Sequence, residues 1–244
     1  MLSKRGLCSR TEAARWIADG RVSVQGRIVR DPEAPTLPDA GIVIDGLPAN
    51  AARRCHVMLH KPRGLVTTTR DEQGRDTIYR CLDGAGLPWL APVGRLDKAS
   101  EGLLLLSNDP AWAAAITDPA RGPRKTYHVQ VGTIPDESLL RAMESGAQVE
   151  GEHLGAASVR LLRAGEKNAW LEVVLDEGRN RQIRRLLGAF DIAVLRLVRV
   201  AIGGLLLGDL PKGGWRELTA DEVAALAPAS AITPSEHPIR ARSG

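Results

Sequence analysis

Asp97, in the run Val93-Gly94-Arg95-Leu96-Asp97, is the acidic residue best set for chemistry. It lies on a loop just ahead of the apolar run Leu103-Leu104-Leu105-Leu106. A carboxylate held by a rigid scaffold at a surface cleft can act as a nucleophile. Taken alone, Arg-Leu-Asp fits equally a turn in which Asp97 pairs with Arg95. His56 and His60 lie four apart, but Val57-Met58-Leu59 between them reads as strand, and no glutamate completes an H-E-x-x-H pattern. No metal site is expected there. There is no G-x-x-x-x-G-K-[ST] loop for nucleotide phosphates, and Gly203-Gly204 and Gly213-Gly214 read as turns, so no cofactor is implied. The cysteines Cys8, Cys55 and Cys81 are odd in number and far apart, which points to reduced thiols rather than a disulfide framework.

The stretch from Val93 through Asp97 and on through Ser100-Glu101-Gly102-Leu103-Leu104-Leu105-Leu106-Ser107-Asn108-Asp109 resembles the signature of the ribosomal pseudouridine synthases of types A, B, E and F, the first for small-subunit RNA and the others for large-subunit RNA. Ser107 stands where threonine is common. The resemblance continues in order through Leu59-His60-Lys61-Pro62-Arg63-Gly64, Lys125-Thr126-Tyr127, Glu177-Gly178-Arg179-Asn180-Arg181-Gln182-Ile183-Arg184-Arg185 and Gly213-Gly214-Trp215-Arg216, across residues 57–220. The first thirty residues resemble an S4 RNA-binding module through Gly6-Leu7-Cys8-Ser9-Arg10 and Gly20-Arg21-Val22-Ser23-Val24. The opening helix of such modules begins several residues earlier, so Met1 need not be the natural start.

What this implies is an isomerase that cuts the bond from ribose C1′ to N1, turns the uracil and rejoins it through C5, with Asp97 as nucleophile and no external reagent. Tyr127 matches the family's active-site tyrosine, whose ring stacks on the flipped base. Arg184 matches the guanidinium that pairs with the aspartate. Read without the resemblance, Tyr127 is a core tyrosine and 179–185 a solvated basic helix start.

Charge points to the same partner. Residues 1–30 carry seven basic side chains against Glu12 and Asp19, and residues 179–199 carry six arginines against Asp191, so each stretch is +5. Two basic patches suit a polyanion such as RNA. The expected RNA contacts are Arg5, Arg10, Arg15, Arg21 and Arg27 in the first module, and Lys61, Arg63, Arg95, Lys125, Arg179, Arg181 and Arg185 in the second. Of the 33 basic residues six are lysine, a bias that bidentate phosphate contacts or a GC-rich genome explain equally.

These groups need elements to hold them, and the sequence reads as an α+β protein. Residues 1–48 form the S4-like module, 55–228 the catalytic domain with a mixed, mainly antiparallel sheet, flanking helices and a central cleft, and 229–244 a disordered tail. In the module, Ser9-Arg10-Thr11-Glu12 reads as a capping box, with the helix stopping at Gly20. A hairpin turning on Gln25-Gly26 follows, and Ile42-Val43-Ile44 returns as a strand. Beyond it, strands are expected at 56–59, 65–69, 102–106, 125–131, 158–163, 169–175 and 194–200. Helices are expected at 110–116, with Asp109-Pro110 as cap and first residue, at 135–145 with Pro135 near its first turn, and at 180–189.

No apolar stretch is long enough to span a membrane and no secretory core opens the chain, so the expected setting is the cytoplasm. A monomer is expected. Leu195-Arg196-Leu197-Val198-Arg199 and Gly213-Gly214-Trp215-Arg216 look more like the large-subunit members, which favours 23S rRNA. A 16S rRNA target, or a non-catalytic RNA-binding or ribosome-assembly factor on the same scaffold, stays open. An S4-bearing heat-shock RNA-binding factor explains the first fifty residues and leaves the larger domain unexplained.

Overall fold

Helix α1 (Arg10–Ala18) starts where Ser9 accepts a hydrogen bond from the Glu12 amide at 3.0 Å. The returning half of the expected box is replaced by a 3.8 Å approach of Glu12 to Arg15. Strands β1 (Val22–Val24) and β2 (Arg27–Ile28) turn on Gln25 and Gly26, both with positive φ. Strands β3 (Ile42–Ile44) and β4 (Leu47–Pro48) turn on Asp45 and Gly46 in the same way. Such turns match the natural twist of paired strands. The four strands form one sheet in the order β2-β1-β3-β4, closed over a core of Leu2, Cys8, Ala13, Val22, Ile42 and Ala49. The structure describes residues 1–68 and 73–227 as a computed structural model; the tail expected at 229–244 lies outside them.

The large sheet comprises β5 (His56–Lys61), β6 (Ala91–Val93), β7 (Glu101–Ser107), β8 (Lys125–Val131), β11 (Ser158–Ala164), β12 (Ala169–Leu175), β13 (Val194–Ile202), β14 (Leu205–Leu206) and β15 (Trp215–Glu217). Strands β9 (Ala147–Val149) and β10 (Glu152–Leu154) pair apart from it. Its order is β11-β12-β8-β13-β7-β5-β15, with β6 beside β7 and β14 beside β13. Every pairing is antiparallel except β13 with β7. The sheet is mixed and mainly antiparallel, as expected.

Strand β7 explains its unbroken leucine run. Leu103 and Leu105 face one cluster with Trp112 and Ile116 of α2 (Pro110–Thr117) and Leu226 of α5 (Ala220–Leu226). Leu104 and Leu106 face the other, with Met143 of α3 (Glu137–Ser145) and Ile183 and Leu187 of α4 (Gln182–Gly188). Side chains alternate along a strand, so a strand covered on both faces must be apolar at every step. All four leucines are fully buried, each contributing about 1.5–3 kcal/mol.

Three expectations shift. Pro135 falls outside α3, because Asp136 caps the helix by accepting from the Leu139 amide. Helix α4 starts at Gln182 rather than 180, because Arg181 sits at φ +49° in the left-handed region. The strand expected at 65–69 is a single parallel bridge, Val66 to Thr77, and residue 69 lies outside the described residues. Strands β6, β9, β10, β14 and β15, helix α5 and a 3-10 turn over Ile78–Leu82 were not anticipated; the strands are two or three residues long, too short to show a period. Helix α5 carries the complete capping box, Thr219 with Glu222. Among the described residues no helix is long and apolar enough to cross a membrane.

Asn108, at the end of β7, joins the two parts of the chain. Its Oδ1 accepts from the Cys55 amide at 2.8 Å and its Nδ2 donates to the Arg53 carbonyl at 2.7 Å. Gly6 packs against it so closely that a Cβ there would stand 3.0 Å from the Asn108 carbonyl. The Ala52 amide in turn donates to the Arg5 carbonyl at 3.0 Å.

Candidate active site

A cavity of about 440 Å³ opens on the α4 side of the sheet, and Asp97, Tyr127 and Arg184 all line it. They come from a loop, a strand and a helix. The loop between β6 and β7 is fastened by its backbone. Leu96 is buried, and its carbonyl accepts from the Thr67 hydroxyl at 2.7 Å. Lys61, wholly buried, donates its Nζ to the carbonyls of Asp97 (3.1 Å), Ser100 (2.8 Å) and Pro62 (3.1 Å). Burial lowers its pKa to about 8, opposed chiefly by Asp97. Lys61 was expected to meet RNA. It is instead an internal clamp, for which its three ammonium donors suit three carbonyls.

With its main chain held, Asp97 leaves its half-buried carboxylate at the cavity, and among the described residues that carboxylate takes no hydrogen bond or ion pair. An unpartnered carboxylate is free to engage a ligand. Tyr127, on β8, is buried in register with Val173 of β12 and Arg199 of β13.

Arg184 on α4 lines the same cavity without the direct Asp97 pair that the resemblance implies. Its guanidinium donates to the carbonyls of Ala99 (3.4 Å) and Val194 (3.3 Å), and its Nε is buried without a partner among the described residues. Burial pulls its pKa down, then Arg181, while Asp97 opposes. Arg184 thus grips the loop two residues beyond Asp97.

The remaining expected contacts divide. Arg95, Arg179 and Arg181 are exposed at the lip of the cavity, Lys125 is half-buried within it, and Arg63 is exposed and near enough to Arg184 to lower its pKa. Arg185 is turned away, bonded to Glu150 (3.0 Å), Glu152 (2.8 Å) and the Val149 carbonyl, so it docks α4 on the β9–β10 hairpin. In the N-terminal module Arg10 and Arg15 on α1 and Arg27 on β2 are exposed, while Arg21 pairs with Asp45. Arg5 is spent internally, donating to the carbonyls of Pro38, Ala40 and Ala49.

Two buried charges lay outside the expected site. Arg199, 5% exposed and lining the cavity, donates from Nε to the Leu103 carbonyl at 2.7 Å while its Nη2 is buried without a partner among the described residues. Glu101, 3% exposed, binds Arg196 and Lys212, and Arg196 first among them holds its pKa down to about 2. Both sit beside Gly102, where a Cβ would stand 2.3 Å from the Arg199 carbonyl. The parallel β13–β7 pairing requires glycine there, and the glycine in the leucine run was the available signal.

Residues 55–189 match the RNA pseudouridylate synthase family, and residues 1–36 match the S4 domain. The chain is 38% identical to an uncharacterised RNA pseudouridine synthase of Aquifex aeolicus (strain VF5), over 92% of this chain and 91% of that one. It is 33% identical to the ribosomal large subunit pseudouridine synthase B of Bacillus subtilis (strain 168), over 93% of each. A crystal structure of a pseudouridylate synthase superposes with a TM-score of 0.65 at 28% identity, covering 93% of this chain and 97% of that one. The chain belongs to the RNA pseudouridine synthase family and is an isomerase with an N-terminal S4 domain.

Proposed function

We propose that this pseudouridine synthase acts on ribosomal RNA, modifying one uridine of 23S rRNA in the cytoplasm as a monomer. The meeting of Asp97, Tyr127 and Arg184 in one cavity rimmed by exposed arginines carries the reading. The S4 part, residues 1–48, anchors structured RNA through Arg10, Arg15 and Arg27. The catalytic part, 55–228, extracts the target nucleotide, whose glycosidic bond is out of reach while the base is stacked.

In the cavity the Tyr127 ring stacks on the uracil and Asp97 lies against C1′. The C1′–N1 bond breaks with its electron pair going to the ring, and the carboxylate takes up the sugar carbon. The ring turns, C5 bonds to C1′ as the bond from C1′ to the Asp97 carboxylate breaks and frees the carboxylate, and the proton lost from C5 is balanced by one gained at N1. Arg184 fixes the Asp97 loop and supplies positive charge beside the carboxylate. Arg95, Arg179, Arg181 and Arg63 take the phosphates, which position the nucleotide without reading it. The likeness to a large-subunit synthase and the Leu195–Arg199 and Gly213–Arg216 blocks favour 23S rRNA.

Carbodiimide primer extension on rRNA from cells with and without the gene tests this. One stop should vanish from 23S rRNA and return when the gene is restored. A vanished stop in 16S rRNA alone would replace the substrate, and an unchanged pattern in every rRNA would remove rRNA from the proposal.

A further inference from the structure

We propose that Arg199 is a further catalytic residue of this reaction: its open N–H donor takes a carbonyl oxygen of the extracted uracil and stabilises the negative charge the ring acquires as the C1′–N1 bond breaks. The inference rests on the proposed function, and adds to Asp97, Tyr127 and Arg184 a group that answers the charge developing on the departing base.

Position comes first. Strand β13 pairs Arg199 with Tyr127 on one side and with Gly102, at the start of β7, on the other. The residue lies between the ring expected to stack on the base and the strand that follows the Asp97 loop, and it lines the cavity. It is 5% exposed, whereas Arg95, Arg179 and Arg181 are exposed at the lip.

Satisfaction comes second. The Nε bond to Leu103 fixes one edge of the guanidinium, and Nη2, although buried, has no acceptor among the described residues. A buried charged donor without a partner pays its desolvation uncompensated, so such groups are rare and call for an explanation. A ligand that brings an acceptor supplies one. Burial first and then the charge of Arg199 lower the pKa of Lys125, which lines the same cavity, so positive charge gathers at this end of it.

Chemistry decides which acceptor. Phosphates stay near the lip, where the exposed arginines are, while the group that enters beside Tyr127 is the base. Heterolysis of the C1′–N1 bond leaves both electrons on the ring, spread over N1, O2 and O4. A preorganised N–H on one of those oxygens is worth more as that charge develops than before, which is the condition for accelerating the step. No proton has to move. The turn that brings C5 to C1′ exchanges C2=O with C4=O, since the axis through N3 and C6 relates both pairs. One fixed donor can therefore meet a carbonyl before and after the turn.

The test uses the full-length chain and its target RNA, carrying uridine or 5-fluorouridine at the site, under single-turnover conditions with saturating enzyme. Consumption of the nucleoside is followed for wild type, Arg199→Met and Arg199→Lys. Fluorine stabilises the ring anion, so a donor with this role matters less on that substrate. Arg199→Met should slow uridine consumption on the order of 10²-fold and lose several-fold less on 5-fluorouridine, with RNA affinity and its salt dependence unchanged. Arg199→Lys, which keeps a charge near the base, should fall between and retain the same substrate trend. Equal losses on the two RNAs in the variants that fold would overturn the proposal in favour of a structural role. Weaker binding with a flatter salt dependence would overturn it in favour of a phosphate contact. Wild type that consumes neither nucleoside would remove the reaction, and the role of Arg199 with it.

Discussion

Residues 1–30 and 179–199 each carry a formal charge of +5, yet the fold leaves different shares of that charge exposed. In the first stretch Arg10 and Arg15 on α1 and Arg27 on β2 stand exposed on a small module with its own core, and Arg5 and Arg21 are bonded within it. In the second, four of the six arginines are taken inward. Arg184 holds the Asp97 loop, Arg185 docks a hairpin, Arg196 neutralises Glu101, and Arg199 is buried in the cavity; Arg179 and Arg181 remain at the lip. Equal charge in the sequence says how strongly a segment could attract RNA. Burial decides whether it attracts RNA or organises a site.

If the division is right, chemistry and affinity come apart by mutation. The largest effect is expected from Asp97→Asn, nearly isosteric but without a nucleophilic carboxylate. It should lower single-turnover rate by about 10⁴-fold or more with RNA affinity within twofold of wild type, because the phosphate contacts lie elsewhere. Turnover within tenfold of wild type would take Asp97 out of the mechanism.

The second stretch can be split within itself. Arg184→Met removes both the grip on Ala99 and the charge beside Asp97, and should reduce the rate at saturating enzyme by roughly 10²-fold. Arg181→Met, at the lip, should weaken binding by up to about tenfold, the scale of one charged hydrogen bond, and leave the rate of bound RNA unmoved. If the two variants behave alike in both assays, burial does not separate their roles.

Glu101→Gln probes the arginine used for structure alone. The folded-state pKa of Glu101 is depressed, so its pairing stabilises fully above the ordinary carboxylate range and is lost as pH falls toward about 2. Urea denaturation at pH 7 should show a loss of about 2 kcal/mol, moderated because Arg196 and Lys212 keep solvent contact. The gap from wild type should close as pH drops from about 4 toward 2. A gap constant with pH would deny the ion pair its part in stability.

The smallest effect concerns the first stretch. Deleting residues 1–48 should weaken RNA binding by about tenfold and reduce the log–log salt slope by roughly 0.7 to 0.9 for every phosphate that the deletion leaves unneutralised. The rate of RNA once bound should stay within a few-fold. An unchanged slope would mean that Arg10, Arg15 and Arg27 do not touch RNA.

Much of this was legible in the sequence because it is written in local chemistry. Ser9 caps α1, Asp109 and Pro110 open α2, Gln25-Gly26 turns the first hairpin, and the leucines of β7 announce a strand buried on both faces. Asp97, Tyr127 and Arg184 were brought to one cavity from motifs far apart in the chain. What stayed hidden depends on pairing across distance. Whether a basic residue faces RNA or protein depends on which carbonyl or carboxylate the fold lays beside it. That is why Lys61, Arg185 and Arg5 appeared as RNA contacts, and why Arg199 was only one more arginine until its register beside Tyr127 and Gly102 was visible.

Asn108 fixes more than a linker. Because it fastens the segment around Arg53 and Cys55 to the end of β7, with Gly6 packed against it, the exposed arginines of the N-terminal module are carried at a set offset from the cavity. An anchor on a short, stiff connection raises the effective concentration of RNA at the second site only where the two contacts are spaced to match. Where the first thirty residues grip RNA as proposed, the amide of Asn108 would work as a ruler, favouring uridines that lie one particular length from the feature they hold.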